Sequence, residues 1–436
     1  MTRRRLVIAA VLAGALLAPV ASGTLPDDVL AFYLTIAAAV VALAVVPSGP
    51  RARRYVTRIL LVSATLALGA ALVDTAARAL VFGRLEHRPY ELYGGPWDRL
   101  PVVGRYAPNV RYTGRTYGAL AQASVFRAYR EYRDVLFVTD AHGFPNDPAA
   151  IGRGPYEVIL LGDSFGEGSQ TSHDRTWAYL LRTRYGRSVY NLSMAAASPW
   201  HEYVTLASEI DRLATRPSSV VVWAIFTGND FDGGVFYPEF DLARLPWQAG
   251  MGRVWTRYQH MRDRSPVRRA AARIRASRAG PAEPIVARPF IDGGAMLFFT
   301  PYAARMRATP AMIRAHPSFT LFRETIVRTV ALARARKLDL AIVLIPSKEE
   351  VYRWVLERQP PWSSDPSPSG LGVVLTEICR EADVRLLDLK APLIEESRRR
   401  YERTHELLWW RDDDHWNEAG HEVAAALVEA RVLTTR

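Results

Sequence analysis

The sequence predicts an α/β fold in which helices cover both faces of a parallel sheet, preceded by a hydrophobic helical segment. Three observations lead to this prediction. The first 83 of the 436 residues are rich in Ala, Leu and Val. Further along, short apolar runs alternate with segments of helical periodicity, which is typical of a parallel sheet with helices on both sides. The chain length allows more than one domain.

The N-terminal part contains three apolar runs, at 6–22, 29–46 and 59–82. Each approaches the roughly 20 apolar residues that a membrane-spanning helix needs, so we expect residues 1–83 to form transmembrane helices. The first run follows three arginines and is also compatible with a signal peptide. Arginines fill the loop between the second and third runs, which predicts a cytoplasmic loop. Everything after about residue 84 is then expected on the extracytoplasmic, periplasmic side of the inner membrane.

The rest of the chain divides into a turn-rich linker at 84–154 and an α/β domain at 155–436. Predicted strands lie at 157–161, 188–192, 219–226, 338–345 and 384–387. Predicted helices lie at 176–185, 203–214, 321–336 and from Asn417 onward. The alternation breaks at about 232–317, which predicts an insertion, and seven arginines crowd positions 262–278 within it.

Composition limits the classes of ligand. The net charge is +12, carried mostly by arginine, which indicates either an anionic partner or a compositional bias. No nucleic-acid-binding motif is present, so we expect no nucleic acid partner. A single cysteine, Cys379, excludes disulfides and cysteine-based metal sites. With no zinc-protease, P-loop or dinucleotide motif, we expect neither a metal nor a cofactor.

The strongest chemical signal is a serine directly after the first predicted strand, in Gly162-Asp163-Ser164. Open parallel sheets place their sites at the carboxyl ends of strands, and a serine heading a helix lies close to backbone N–H groups. Other polar or small residues follow later strands or lie near the C-terminus: Ala196, Thr227, Gly228, Asn229, Asp230, Asp412, Asp413, Asp414 and His415.

These blocks together resemble the SGNH (GDSL) hydrolase superfamily over about residues 156–436. The resemblance implies a three-layer, flavodoxin-like α/β/α fold with no cofactor. It also implies that Ser164 is the nucleophile and His415 the general base. Ser164, Ala196 and Asn229 would form the oxyanion hole, with Gly162, Asp163, Gly228 and Asp230 in supporting positions. Ala196 stands where the family has glycine, and alanine is penalised there if the turn requires positive φ.

The acidic partner of His415 is left with two candidates. The Asp-x-x-His spacing of the superfamily selects Asp412, which we prefer. The His-Trp-Asn sequence is similar to the SGNH-like proteins of alginate acetylation, whose acid precedes the histidine by two positions, and this selects Asp413.

Three functions follow from these patterns. The first is a serine esterase acting on an acylated carbohydrate or lipid of the cell envelope. The second is an O-acetyltransferase for envelope polysaccharide that uses the same residues and works with further polysaccharide machinery. The third is a non-catalytic glycan-binding scaffold, which predicts a broken triad.

Overall fold

The computed structural model describes residues 105–122, 124–150, 154–231 and 284–434, with isolated positions between 54 and 95. The chain divides into two compact units, and one unit holds the four long described ranges. In the other unit the described residues are single helical positions from Arg54 to Ala76 and the pair Gly94–Gly95.

A five-stranded parallel sheet forms the centre of the larger unit. Its strands, in chain order, are β3 (Tyr156–Leu161), β4 (Val189–Asn191), β5 (Thr215–Phe226), β8 (Asp339–Ile345) and β9 (Arg385–Asp388). In space they lie in the order β9–β8–β5–β3–β4. The first strand of the sheet therefore lies between the second and the third, which is the flavodoxin-like order.

Two antiparallel hairpins accompany the sheet, and eleven α-helices have bounds among the described residues. The hairpins are β1 (Arg111–Thr116) with β2 (Arg133–Val138) and β6 (Ile285–Pro289) with β7 (Ala295–Phe299). The helices are α1 (Ser164–Glu167), α2 (Trp177–Thr183), α3 (Pro199–Glu209), α4 (Thr300–Met306), α5 (Pro310–Ala315), α6 (Phe319–Ala335), α7 (Lys348–Val351), α8 (Arg353–Leu356), α9 (Gly370–Glu381), α10 (Lys390–Thr404) and α11 (Glu418–Val428).

Apolar side chains of the sheet point alternately into two cores, because successive residues of a strand face opposite sides. In β5, Val222 and Ala224 belong to the core shared with α2 and α11, whereas Val221 and Trp223 belong to the core shared with α3, α6 and α9. Both faces of the sheet are therefore covered by helices. This confirms the predicted parallel sheet between two helical layers, and all five predicted strands are present.

Two parts of the structure were not predicted. The β1–β2 hairpin lies in the turn-rich stretch 84–154, where no strand was predicted. Residues 284–317 of the predicted insertion form the β6–β7 hairpin and helices α4 and α5, and Met296, Leu297 and Phe298 are fully buried. The arginine-rich stretch 262–278 lies outside the described residues.

The predicted membrane segments are only sparsely covered. The runs at 6–22 and 29–46 lie outside the described residues, and the run at 59–82 is described only at isolated positions. Among the residues that the structure describes, we find no helix with both the length and the hydrophobicity to cross a bilayer.

Candidate active site

Ser164 is the first residue of α1, immediately after β3. Asp163 caps this helix, since its Oδ1 accepts a 2.9 Å hydrogen bond from the Phe165 N–H. Its other oxygen lies 3.3 Å from the Ser164 hydroxyl. Gly162 is needed for close packing, because a Cβ there would lie 2.9 Å from the Cβ of Ala224 on the neighbouring strand. Ser164 thus heads a helix that follows the first strand of the sheet, as predicted, and Asp163 is the cap of that helix.

The sheet order brings the other predicted residues to the same edge. Ligand sites of doubly wound sheets lie where the strand order reverses, which here is between β3 and β5. Ser164 follows β3 and Asn229 follows β5, while Ala196 follows β4 on the other side of β3. The carboxyl ends of parallel strands share one edge, so these three positions come from three adjacent turns.

A chain of hydrogen bonds joins a hydroxyl, an imidazole and a carboxylate. The Nε2 atom of His415 lies 2.8 Å from the Ser164 Oγ. The Nδ1 atom of the same ring lies 2.5 Å from the Oδ1 of Asp413. That carboxylate oxygen also accepts the His415 backbone N–H at 2.9 Å, which fixes the ring relative to its own backbone. Serine, histidine and aspartate therefore meet in the arrangement of a serine hydrolase triad.

The electrostatics of the triad favour a protonated imidazole beside an ionised carboxylate. Burial works to lower the pKa of His415, but the carboxylates of Asp414 and Asp413 outweigh it and raise the pKa well above its usual value. For Asp413, burial works to raise the pKa, whereas the His415 ring and the Arg133 guanidinium hold it well below the ordinary range. Asp413 therefore remains charged and stabilises an imidazolium at His415.

Asp412, the acid preferred from the sequence, does not contact the imidazole, and this placement is corrected. Its Oδ1 accepts a 2.9 Å hydrogen bond from the buried Arg133 guanidinium. Its Oδ2 accepts the backbone N–H groups of Gly118 at 2.7 Å and Glu131 at 2.9 Å. These three donors hold the Asp412 side chain on the side of the loop that faces the β1–β2 hairpin. The alternative residue, Asp413, occupies the place beside His415.

Backbone N–H groups in the connection between β1 and β2 donate hydrogen bonds to the loop that carries Asp412 and Asp413. The Ala119 N–H donates to Asp413 Oδ2 at 2.5 Å, and the Leu120 and Ala121 N–H groups donate to the Asp412 carbonyl at 3.1 and 3.3 Å. Gly118 permits this approach, because a Cβ there would lie 2.0 Å from the Asp412 carbonyl oxygen. Sequence reasoning missed these contacts, since backbone donors leave no sequence pattern.

Aromatic rings pack against the imidazole and close the loop that carries it. The Phe165 ring lies 5.0 Å from the His415 ring, and Trp416 packs edge-on to Phe165 at 5.1 Å. Trp409 and Trp416 form an antiparallel bridge, so residues 410–415 are a closed loop. The His421 ring packs edge-on against Trp416 at 5.5 Å, and burial lowers the pKa of His421 to about 3, which keeps this ring neutral.

The predicted oxyanion turns have distinct geometries. Ala196 has a φ of +63°, the left-handed region in which a Cβ is penalised, as anticipated for this glycine position. The preceding N–H, of Ala195, donates to the buried Tyr106 hydroxyl at 3.2 Å and ties down the turn. Asn229 is exposed in the turn after β5, where the Asp230 carboxylate accepts the Phe226 N–H at 2.7 Å.

Three buried carboxyl groups accompany these turns. Burial, reinforced by the neighbouring Asp163, raises the pKa values of Glu202 and Asp230 well above normal. Burial also raises the pKa of Asp163 to about 6, against the Phe165 N–H and the His415 ring, which lower it. The Trp223 indole donates to Glu202 at 2.6 Å. Because like charges repel, these buried carboxyl groups oppose one another's ionisation.

A group of potential metal ligands exists at Asp413, Asp414 and His415, whose ligand atoms lie within 4.8 Å of one another. The His415 Nδ1 and Asp413 Oδ1 atoms already face each other at hydrogen-bond distance. A metal bound to both atoms would have to replace the contact that orients the imidazole toward Ser164.

Comparison with known proteins adds little to this geometry. No protein-family model matches the chain, and no curated protein matches it. One similar solved structure is titled a crystal structure of a member of the lipolytic protein G-D-S-L family from Veillonella parvula. It shares 11% identity at a TM-score of 0.33, and the match covers 64% of this chain and 98% of that chain. At this identity and TM-score, nothing about this chain follows from the likeness.

Proposed function

We propose that this protein is a serine-dependent acyl-ester hydrolase. The observation that supports the proposal is the continuous contact from the Ser164 hydroxyl through both nitrogens of His415 to Asp413, at 2.8 and 2.5 Å. A scaffold without catalysis would have no need for a buried carboxylate that orients an imidazole toward a partly buried serine. Side chains 251 positions apart in the chain meet within hydrogen-bond distance.

The proposed reaction proceeds by two acyl transfers. The Ser164 Oγ attacks the ester carbonyl carbon as its proton passes to His415 Nε2. The carbon–oxygen bond to the leaving alcohol then breaks, and His415 returns the proton to that alcohol. Water repeats the sequence on the acyl-serine and releases the carboxylic acid. Asp413 keeps the Nδ1–H oriented and stabilises the imidazolium formed in each half.

The negative charge on the carbonyl oxygen requires hydrogen-bond donors. The Ser164 N–H at the head of α1, the Ala196 N–H and the Asn229 amide are the donors we propose. Each such donor is worth about 2.7–4 kcal/mol when it is correctly aimed. The tether of Ala195 to Tyr106 supports this assignment, because it fixes the turn from which the second donor would come.

The proposed substrate is an O-acyl group on a carbohydrate or lipid of the cell envelope. The three apolar runs and the arginines at 51–58 support an extracytoplasmic position for the residues after about 84. Such a position exposes the site to envelope esters and not to cytosolic metabolites.

The test is hydrolysis of p-nitrophenyl acetate by the full-length chain, with Ser164→Ala as the matched control. We expect turnover in the wild type and only background release in the variant. Equal rates in both proteins would refute the proposal. Acetylated sugar formed on adding oligosaccharide acceptors would indicate that the acyl-serine is resolved by a hydroxyl and not by water, so the protein would be a transferase.

A further inference from the structure

The short helix α7 and the residue before it are polar in sequence yet fully buried. Ser347, Lys348, Glu349 and Glu350 are each at most 2% exposed. They follow β8, the strand beside β5, at the sheet edge that carries the site. Charged groups are rarely buried unless each is paired, so their contacts show what they do. Because they are buried, they do not line the mouth of the site.

Lys348 reaches into the closed loop that carries His415. Its ammonium lies 3.2 Å from the Trp410 carbonyl, 3.3 Å from the Arg411 carbonyl and 2.5 Å from the Asp413 carbonyl. Three protons thus meet three backbone acceptors, which satisfies a lysine completely. One of these acceptors belongs to the residue whose carboxylate orients His415. Lys348 therefore fixes the backbone of the closed loop at 410–415 from its buried side.

Glu350 reaches the other way, to the turn that carries Asn229. Its Oε2 accepts the Thr227 hydroxyl and the Ser347 N–H, the latter at 2.8 Å. The Ser347 N–H is also 3.0 Å from the Thr227 hydroxyl oxygen, which closes a three-membered network. Thr227 begins the turn after β5 and stands two residues before Asn229. A glycine at this position would provide no hydroxyl for this contact.

We propose that α7 positions both halves of the catalytic site, with Lys348 holding the loop of Asp413 and His415 and Glu350 holding the turn of Asn229. The inference rests on the proposed function. Lys348 and Glu350 are positioning residues, since neither contacts Ser164. Two residues of one helical turn thus connect the proton-transfer side of the site to one donor of the oxyanion hole, and that turn sets the distance between them.

The role proposed for Lys348 is tested by a double-mutant cycle in the full-length chain. We expect Lys348→Met to lower kcat by about 100-fold with little change in KM, because substrate binding does not use the loop. In an Asp413→Asn background the same substitution should cost less than about three-fold, since the oriented carboxylate is already gone. Equal costs in both backgrounds would overturn the Lys348 assignment.

The role proposed for Glu350 needs a separate variant. Thr227→Val removes the hydroxyl and keeps the shape of the side chain. We expect kcat to fall about 10- to 100-fold, the range between a misaimed and a deleted oxyanion donor, at an unchanged kinetic pKa. The effect should persist in the Asp413→Asn background, because it acts on Asn229 and not on His415. An unchanged kcat in Thr227→Val would overturn the role proposed for Glu350.

Lys390→Met is the matched control, because Lys390 is also buried and donates to a carbonyl, that of Ser367 at 2.6 Å. It should lower the melting temperature about as much as Lys348→Met without reproducing the Lys348→Met loss of kcat. A readout independent of activity is the downfield proton resonance of the His415 Nδ1–H in histidine-labelled protein. This resonance should survive in Lys390→Met and disappear in Lys348→Met; survival in both would contradict the proposal. If the wild type hydrolyses no ester, the proposed function fails, yet this resonance still tests the positioning.

Discussion

The acid Asp414 offers a quantitative test of how the site sets the pKa of its base. Its Oδ1 lies 3.3 Å from the His415 Nδ1, and its side chain is 15% exposed. Coulomb's law at this separation gives about 1.3 kcal/mol in water and about 5 kcal/mol at an effective dielectric constant of about 20. One pKa unit corresponds to about 1.36 kcal/mol. Because the group is partly solvated, we expect the interaction to lie between these two energies and to be one cause of the raised pKa of His415.

Replacing Asp414 by asparagine should therefore lower the pKa of His415 while Asp413 still orients the ring. The general base acts only in its neutral form, so activity is lost as the pH falls through this pKa. In Asp414→Asn the acid limb of kcat/KM against pH should move down by at least about one unit, and the variant should outperform the wild type at acidic pH.

The assay is p-nitrophenyl acetate hydrolysis from pH 5 to 9 at constant ionic strength. Asp383→Asn removes the same charge from a fully exposed side chain and should leave the limb where it is. The electrostatic reasoning would be refuted if the acid limb of a folded, active Asp414→Asn stayed within about 0.3 pH units of the wild type. Even at the dielectric constant of water, the interaction energy corresponds to about one pH unit.

Three further predictions follow from the same contacts. Asp413→Asn should lower kcat about 10³- to 10⁴-fold. Asp412→Asn should mainly destabilise the fold, by about 3 kcal/mol in urea unfolding, because it leaves Arg133 poorly paired. If Asp412→Asn instead lowered kcat more than Asp413→Asn, Asp412 would be restored as the acidic partner of His415. Ala196→Gly should raise the free energy of unfolding by about 0.5–1 kcal/mol, since it relieves positive φ, and a loss of stability would show that the turn does not strain alanine. Glu202→Gln should stabilise the protein at pH 8 but not at pH 4. Unfolded glutamate ionises near about pH 4.3, and the folded pKa is higher, so the wild type loses stability as the pH rises between the two values. Melting temperatures from pH 4 to 8 check this, and parallel curves for both proteins would contradict it.

Patterns that repeat along the chain were predictable. The three inner strands of the central sheet, β3, β5 and β8, are buried on both faces, so they read as continuous apolar runs such as the one ending at Phe226. Ser164 and His415 could be found because each lies in a motif at an element boundary. The β1 strand was not predicted, since its side chains are mostly polar and only Thr116 is fully buried.

The choice between Asp412 and Asp413 depended on contacts that spacing does not encode. Asp412 turns away from His415 because its donors come from Arg133 and from backbone groups some 280–300 positions earlier. Lys348 shows the same limit, because no sequence pattern indicates its burial or its three carbonyl acceptors. Local motifs identify the reacting groups, whereas long-range hydrogen bonds decide which carboxylate serves them.

Catalysis at the proposed site depends on the activation of one hydroxyl by one imidazole. The most direct measurement is covalent labelling of the full-length chain with a fluorophosphonate, followed by intact mass and peptide mapping. We predict one adduct per chain, on Ser164, with labelling abolished in Ser164→Ala and slowed at least 100-fold in His415→Ala. Labelling at another residue, or an unchanged rate in His415→Ala, would contradict the account.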